Sequence, residues 1–185
     1  MSPTMETWLA PNRRALLWGM LLPALAALAA GAAALGGWIE SLWLRGAAAL
    51  LGAVMVALLV GLLWQLRLPR IGYRRGELLF YLRNSTPYAV PAQVVECFFI
   101  GQGPTLRPGE TYPDEQTVTV VARLAERATD YHRRDVKRAL GAWCDGYITI
   151  RGTWCEPLDG ERVKQLNHQL AAAHRSLAAA RKEHA

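Results

Sequence analysis

The amino-acid sequence predicts an α+β membrane protein in which an N-terminal two-helix transmembrane hairpin precedes a small, mostly antiparallel β-barrel or sheet, capped by an amphipathic C-terminal helix. Three observations carry that expectation. Residues 15–35 and 46–66 form two 21-residue runs without Asp, Glu, Lys or Arg. Beyond them come short β-prone runs separated by Gly and Pro. Near the end, Val163, Leu166, Leu170, Ala173 and Leu177 recur at spacings of three and four, which places one apolar stripe on a long helix.

Composition divides the chain in the same way. Of the 21 basic and 15 acidic side chains, 18 and 13 fall in residues 67–185. About 120 residues of mixed charge suffice for one globular domain with its own core. The predicted organisation is therefore a cytoplasmic tail over 1–14, a transmembrane hairpin over 15–66 and a soluble cytoplasmic domain over 67–185.

A helix rising about 1.5 Å per residue needs about 20 apolar residues to cross the hydrocarbon layer, and both runs meet that length. Arg13 and Arg14 precede the first run, and Arg67, Arg70, Arg74 and Arg75 follow the second. Basic flanks stay on the cytoplasmic side. The expected protein is a multi-pass component of the cell inner (plasma) membrane, with both ends of the chain cytoplasmic and residues 36–45 on the far side. Trp18, Trp38, Trp43 and Trp64 fall near the run ends, where an indole anchors at the membrane interface, and Trp8 would extend that belt if the tail folds back. Arg67, Arg70, Arg74 and Arg75 are the candidate membrane-surface residues, suited to anionic lipid headgroups.

Inside the runs the small residues Pro23, Ala27 and Gly31, and Ala49, Ala53, Ala57 and Gly61, recur every four positions. Such faces let two helices approach closely, either within the hairpin or between chains of an oligomer. Asn12-Arg13-Arg14-Ala15-Leu16-Leu17 loosely resembles a twin-arginine export signal, but the apolar run is too long for a signal core and a second run follows at once. Pro23 is tolerable within a span, and Arg45 can snorkel to the interface.

The soluble part begins with β-prone runs around a Gly-containing turn, Arg70–Tyr73 and Glu77–Leu82, which read as a hairpin. Residues 93–100 read as a buried strand ended by Gly101-Gln102-Gly103-Pro104, with an irregular loop over 101–116. Residues 117–124 alternate, placing Val118, Val120, Ala122 and Leu124 on one face. Thr129 would cap a short helix that Gly141 stops, with Asp130 and Arg134 paired along it, an ordered loop being the alternative. Residues 146–151 form a further strand, and Thr153-Trp154-Cys155 another strand or hairpin.

This order of elements resembles the bacterial membrane-anchored pleckstrin-homology-like (PH-like) proteins. The local likeness lies at Arg70-Ile71-Gly72-Tyr73-Arg74-Arg75-Gly76-Glu77-Leu78 and at Val90-Pro91-Ala92-Gln93-Val94. The resemblance implies a small helix-capped barrel and a scaffolding or binding role, without a shared reaction. The loop after Gly101 and the polar stretch 129–140 depart from that outline.

No residue pattern points to catalysis or a cofactor. Cys97, Cys144 and Cys155 lack Cys-x-x-Cys spacing, so no metal site is expected. In a reducing compartment they are expected to be buried thiols, Cys97 above all, although Cys144 and Cys155 would meet across a hairpin if oxidised. His132 and Asp135 with a cysteine would need to converge to act as a hydrolytic group. His168 and His174 read as helix-surface residues with His184 just beyond the helix, and Glu156, Asp159 and Glu161 as partners of the positive helix N-terminus. Gly101-Gln102-Gly103 lacks the lysine of a phosphate loop. The basic surplus is scattered, and no nucleic-acid-binding signature is present.

The expected function is a membrane-tethered binding or scaffold module at the inner leaflet, its partners the bilayer, anionic lipid headgroups or another membrane protein. The alternatives are a structural subunit of a larger membrane complex and, less favoured, a membrane-proximal enzyme.

Overall fold

The structure, a computed structural model, describes residues 5–36, 40–83, 86–104 and 116–183. They form two compact units, a helical pair over 13–67 and a globular unit made of the preceding residues up to Asn12 together with 68 onward.

The helical unit consists of α1 (Arg13–Leu35) and α2 (Leu42–Arg67). Both are long and apolar enough to cross a membrane. They pack along a seam that reads Leu16, Met20, Pro23, Ala27, Ala30 and Ala34 on α1 and Ala48, Gly52, Met55, Leu59 and Leu62 on α2, the more covered positions of each helix. Spacings of three and four are those of helices crossing at a shallow angle. At its centre a Cβ built on Gly52 would lie 3.6 Å from Ala30 Cβ and 4.0 Å from the Ala27 carbonyl oxygen, so the closest approach is made where α2 has no side chain. Of the small face expected on α1, Pro23 and Ala27 lie on the seam, whereas a Cβ at Gly31 would meet nothing within 4 Å. The small face expected on α2 is not packed, because Ala49, Ala53, Ala57 and Gly61 are exposed and Gly52 takes the contact.

The globular unit is built from two four-stranded antiparallel sheets. The first runs in the order β1 (Glu6–Leu9), β2 (Ile71–Arg74), β3 (Glu77–Phe80) and β4 (Tyr88–Pro91). The second contains β5 (Val95–Pro104), β6 (Gln116–Leu124), β7 (Gly141–Cys144) and β8 (Tyr147–Arg151), with β8 inserted between β6 and β7. Among the described residues no closed barrel forms. A single core fills the space between the sheets and α3 (Gly160–Glu183), with Leu9, Ile71, Phe80, Phe98, Trp143, Ile148 and Leu166 among its members.

Two hairpins turn on consecutive residues with positive φ, Arg75-Gly76 (52° and 85°) and Asp145-Gly146 (51° and 77°). That pair of angles defines the type I′ turn, whose twist matches that of the flanking strands. The C-terminal helix follows the predicted stripe. Val163, Leu166, Leu170 and Ala173 are buried and Leu177 packs against them, while Asp159 Oδ1 accepts the Arg162 N–H at 2.7 Å as an N-cap.

Several expectations are corrected. Residues expected in a tail contain β1, paired antiparallel with β2. The register shifts between Thr7 and Leu9, and such a bulge lets the successive residues Trp8 and Leu9 both point inward. Gly101–Gly103 belongs to β5, paired with Thr117–Thr119, because a Cβ at Gly101 would meet Thr119 Oγ1 and Val121 Cγ2 at 2.9 Å and only glycine leaves that room. Pro108, Gly109 and Pro113 of the expected loop lie outside the described residues. Residues 129–140 take the ordered-loop alternative, with a 3-10 turn at Thr129–Tyr131 in place of the short helix, since the segment lacks an apolar stripe to pack a helix. Arg134 there donates to the Asp130 carbonyl at 3.0 Å, not to its carboxylate. Residues 152–154 form another 3-10 turn, and Cys155 makes an isolated bridge to Pro11.

Candidate functional site

Two features of the globular unit stand out. The first is the point where the chain leaves it at Asn12 and returns at Leu68. The Arg70 N–H donates to Leu9 O at 2.7 Å, and Tyr81 N–H donates to Arg70 O at 3.1 Å, so Arg70 extends the first sheet. On the other side of β1, Ala10 and Glu156 exchange bonds, Glu156 N–H to Ala10 O at 3.0 Å and Ala10 N–H to Glu156 Oε1 at 2.9 Å. Asn12 donates through its N–H to Trp154 O at 3.2 Å and through Nδ2 to Thr153 O at 3.1 Å. Arg162 bridges the Glu156 carboxylate and the Trp8 carbonyl. Residues 8–12 and 70 are thus tied to one short segment, Thr153–Glu156.

Arg70 is central to that junction. It is 3% exposed and donates Nε–H to Trp154 O at 2.9 Å. Burial lowers its pKa from the usual arginine value, against the opposing influence of Cys155. It is therefore a buried structural cation and not a surface one, which corrects the expectation drawn from its position after the second run. Cys155 is fully buried, and desolvation pushes its thiol up to about 12 despite the neighbouring Arg70 guanidinium. A group so held stays protonated and unreactive at neutral pH.

Arg67, Arg74 and Arg75 are exposed. Of the expected anchors, Trp18, Trp43 and Trp64 are 75%, 89% and 59% exposed, and Trp38 lies outside the described residues. Trp8 belongs to no belt. It is 1% exposed and stacks on Tyr73 with ring centroids 5.0 Å apart.

Cys155 is buried as expected, whereas Cys97 is partly covered and Cys144 exposed; all three are free thiols. Cys144 flanks a turn, and Cys97 follows the β5 bulge at Glu96, so neither side chain is drawn fully inward. Among the described residues no hydrogen bond or ion pair joins any two of His132, Asp135, Cys97, Cys144 and Cys155, and no three His, Cys, Asp or Glu side chains gather as a metal site.

The second feature is a groove of about 460 Å³ lined by Arg133, Arg134, Asp135, Val136, Arg138 and the whole of β7. The segment beside it is irregular yet held at many points. Tyr88 Oη–H donates to Asp135 O at 2.6 Å, Trp143 Nε1–H to Tyr131 O at 2.6 Å, Lys137 N–H to Leu82 O at 2.9 Å and Arg151 Nε–H to Arg138 O at 2.8 Å. The anchors use its main chain and leave its cations outward. Arg133, Arg134, Lys137 and Arg138 are all exposed, and none is in an ion pair among the described residues.

At the far edge of the second sheet α3 closes β5. Asn167 accepts the Phe98 N–H through Oδ1 and donates Nδ2–H to Phe98 O, both at 2.8 Å, so one amide stands in for a neighbouring strand. His174 Nε2 lies 2.8 Å from the Ala92 carbonyl oxygen, which only a protonated ring nitrogen can satisfy. Sequence reasoning found the helix stripe and missed Asn167, although a polar residue next to a core position was a visible signal.

Comparison of the chain with family models, curated proteins and solved structures finds no match.

Proposed function

We propose that this chain is an integral membrane protein whose α1–α2 hairpin crosses the bilayer and whose two-sheet unit is a tethered binding or scaffold module at the cytoplasmic face of the inner membrane. The observation that carries the reading is the spacing of exposed indoles along α2, whose residues 46–66 hold no charged side chain. Trp43 and Trp64 stand 21 residues apart on α2, about 31 Å along a helix axis, close to the thickness of a hydrocarbon layer. No residue of α2 is buried, an arrangement that lipid tolerates and water does not.

The stitched junction supports the topology. β1 precedes the hairpin and β2 follows it, and the two pair in one sheet, so an even number of crossings is the only arrangement that keeps that sheet whole. Arg13, Arg14 and Arg67 then mark the cytoplasmic side by charge, and exposed Arg74 and Arg75 face the headgroup chemistry expected for them. A relation to the PH-like membrane-anchored proteins is retained as part of the proposal, on the strength of the antiparallel sheets and the helix that covers β5. A second reading, a structural subunit of a larger membrane complex, draws on the outward position of Ala49, Ala53, Ala57 and Gly61 on α2.

Cys144 provides the test. A membrane-impermeant maleimide is expected to label it in inverted inner-membrane vesicles and not in intact cells, with the protein resisting alkaline carbonate extraction. Labelling from outside intact cells would overturn the topology, and release by carbonate would overturn membrane insertion.

A further inference from the structure

The groove beside β7 has a geometry that selects its occupant. Along a strand successive side chains point to opposite faces, so a cleft on one face would touch alternate residues. This one is lined by Gly141, Ala142, Trp143 and Cys144 in succession, and therefore runs along the edge of the strand. Topology agrees, since β7 ends the sheet order and pairs only with β8.

Cys144 and Tyr147 flank the two-residue turn and are cross-strand partners, as are Ala142 and Thr149. In such a ladder the intervening residue turns its main-chain groups the other way. Gly141 follows that rule by donating its N–H outward to Lys137 O at 3.1 Å. Trp143 directs its N–H and C=O into the groove, where no described residue bonds them, while segment 132–137 flanks the edge at its two ends through Gly141 N–H to Lys137 O and Gly146 N–H to His132 O at 3.4 Å. An open edge of this kind is a template for another extended chain. Its wall carries Arg133, Arg134 and Arg138 against a single acid, Asp135, so charge complementarity calls for carboxylates on the incoming segment.

We propose that the β7 edge groove is a docking site for an extended, acidic peptide segment of a protein partner, which adds to the second sheet as a further strand while its carboxylates meet Arg133, Arg134 and Arg138. The inference names the partner class of the module proposed above and rests on that binding reading, but not on membrane insertion.

The test uses the full chain in neutral detergent and, as probe, a hexapeptide alternating glutamate and valine that carries an N-terminal fluorophore. Saturable binding is expected, weakened at least tenfold when Arg133→Glu, Arg134→Glu and Arg138→Glu are combined. These residues are exposed, so the fold is expected to persist, checked by an unchanged thermal midpoint. A second probe, N-methylated on alternate peptide nitrogens, keeps every charge and loses the strand-pairing donors; it is expected to bind at least tenfold more weakly. Equal binding of the methylated probe, or full competition by inorganic pyrophosphate or by anionic vesicles, would replace strand addition with plain anion attraction and overturn the proposal. Absence of probe binding, with the cations acting only as guards against edge pairing, would overturn it equally. Either failure leaves carbonate resistance untouched, which separates this inference from the membrane reading.

Discussion

The helical pair and the two-sheet unit use the same residue types in opposite ways. In the sheet unit Leu9, Leu78, Leu82 and Leu166 are sealed in a core shared by both sheets and α3. In the helical unit Leu22, Leu28, Leu50 and Val60 lie largely exposed around the seam between α1 and α2. The difference teaches that apolarity alone does not report burial. What matters is whether the hydrophobic positions recur on one face or all round, and the latter is the pattern that the proposed membrane reading assigns to lipid.

Glycines break or sharpen that contrast most strongly. A Cβ on Gly141 would sit 2.0 Å from the Thr149 carbonyl oxygen, and one on Gly152 would sit 2.3 Å from that of Val118. Gly141→Ala is expected to force β7 and β8 apart and cost more than about 3 kcal/mol. Gly61, with nothing within 4 Å of its missing Cβ, is expected to accept alanine without loss. Denaturant unfolding of the sheet unit, followed by Trp143 fluorescence, measures both; equal effects would erase the distinction.

Truncating the core comes next. Leu166→Ala is expected to cost about 2–5 kcal/mol, whereas Leu22→Ala should leave unfolding of the sheet unit within about 0.5 kcal/mol. A comparable loss from Leu22→Ala would mean that the two units are not energetically separate. Charge tests the helices in their own terms. Val56→Arg is expected to oppose insertion of α2 by about 2.5–3.5 kcal/mol, read as the inserted fraction in a glycosylation-tag assay, and unchanged insertion would contradict a membrane-spanning role.

Asn167→Leu removes the two bonds that close β5 and leaves the Phe98 main chain unpaired, an expected loss of about 1–3 kcal/mol. Hydrogen exchange at Phe98 should quicken more than at Ile148. The last comparison is that of pH, and it acts only in alkaline solution. The Cys155 thiol ordinarily titrates near 9 and is raised to about 12 in the folded chain. Its contribution is complete below pH 9, because both states then hold the proton. It declines as pH rises toward 12, where the unfolded chain releases the proton first, at no more than about 1.4 kcal/mol per unit. Cys155→Ser should flatten that decline in a urea midpoint measured against pH, and a slope unchanged by the substitution would remove Cys155 as its source.

Much of the architecture was legible in residue order. The two uncharged runs, the Arg75-Gly76 turn and the stripe from Val163 to Leu177 are periodic or local signals, and each became the element expected. Four-residue strands such as β1, β4 and β7 carry too few alternations to register. β1 is also separated from β2 by the whole hairpin, so only its partner reveals it. The candidate site was harder to read for a related reason. Arg70 looked like a headgroup ligand because it follows an apolar run, and only the strand pairing that withdraws it from solvent makes it structural. Cys144 looked like a core thiol until its place beside a turn turned it outward.

By itself the sequence determined the two apolar helices, their length against a bilayer, the I′ turns and the helix that covers a sheet, all consequences of spacing within a few neighbouring residues. The tertiary structure alone decided that the first strand belongs beyond the hairpin, that Gly52 and not Gly61 carries the helix contact, and that Arg133, Arg134 and Arg138 stand beside an open strand edge. These depend on which distant segments meet, and pairing across more than sixty residues leaves no periodic trace in the chain.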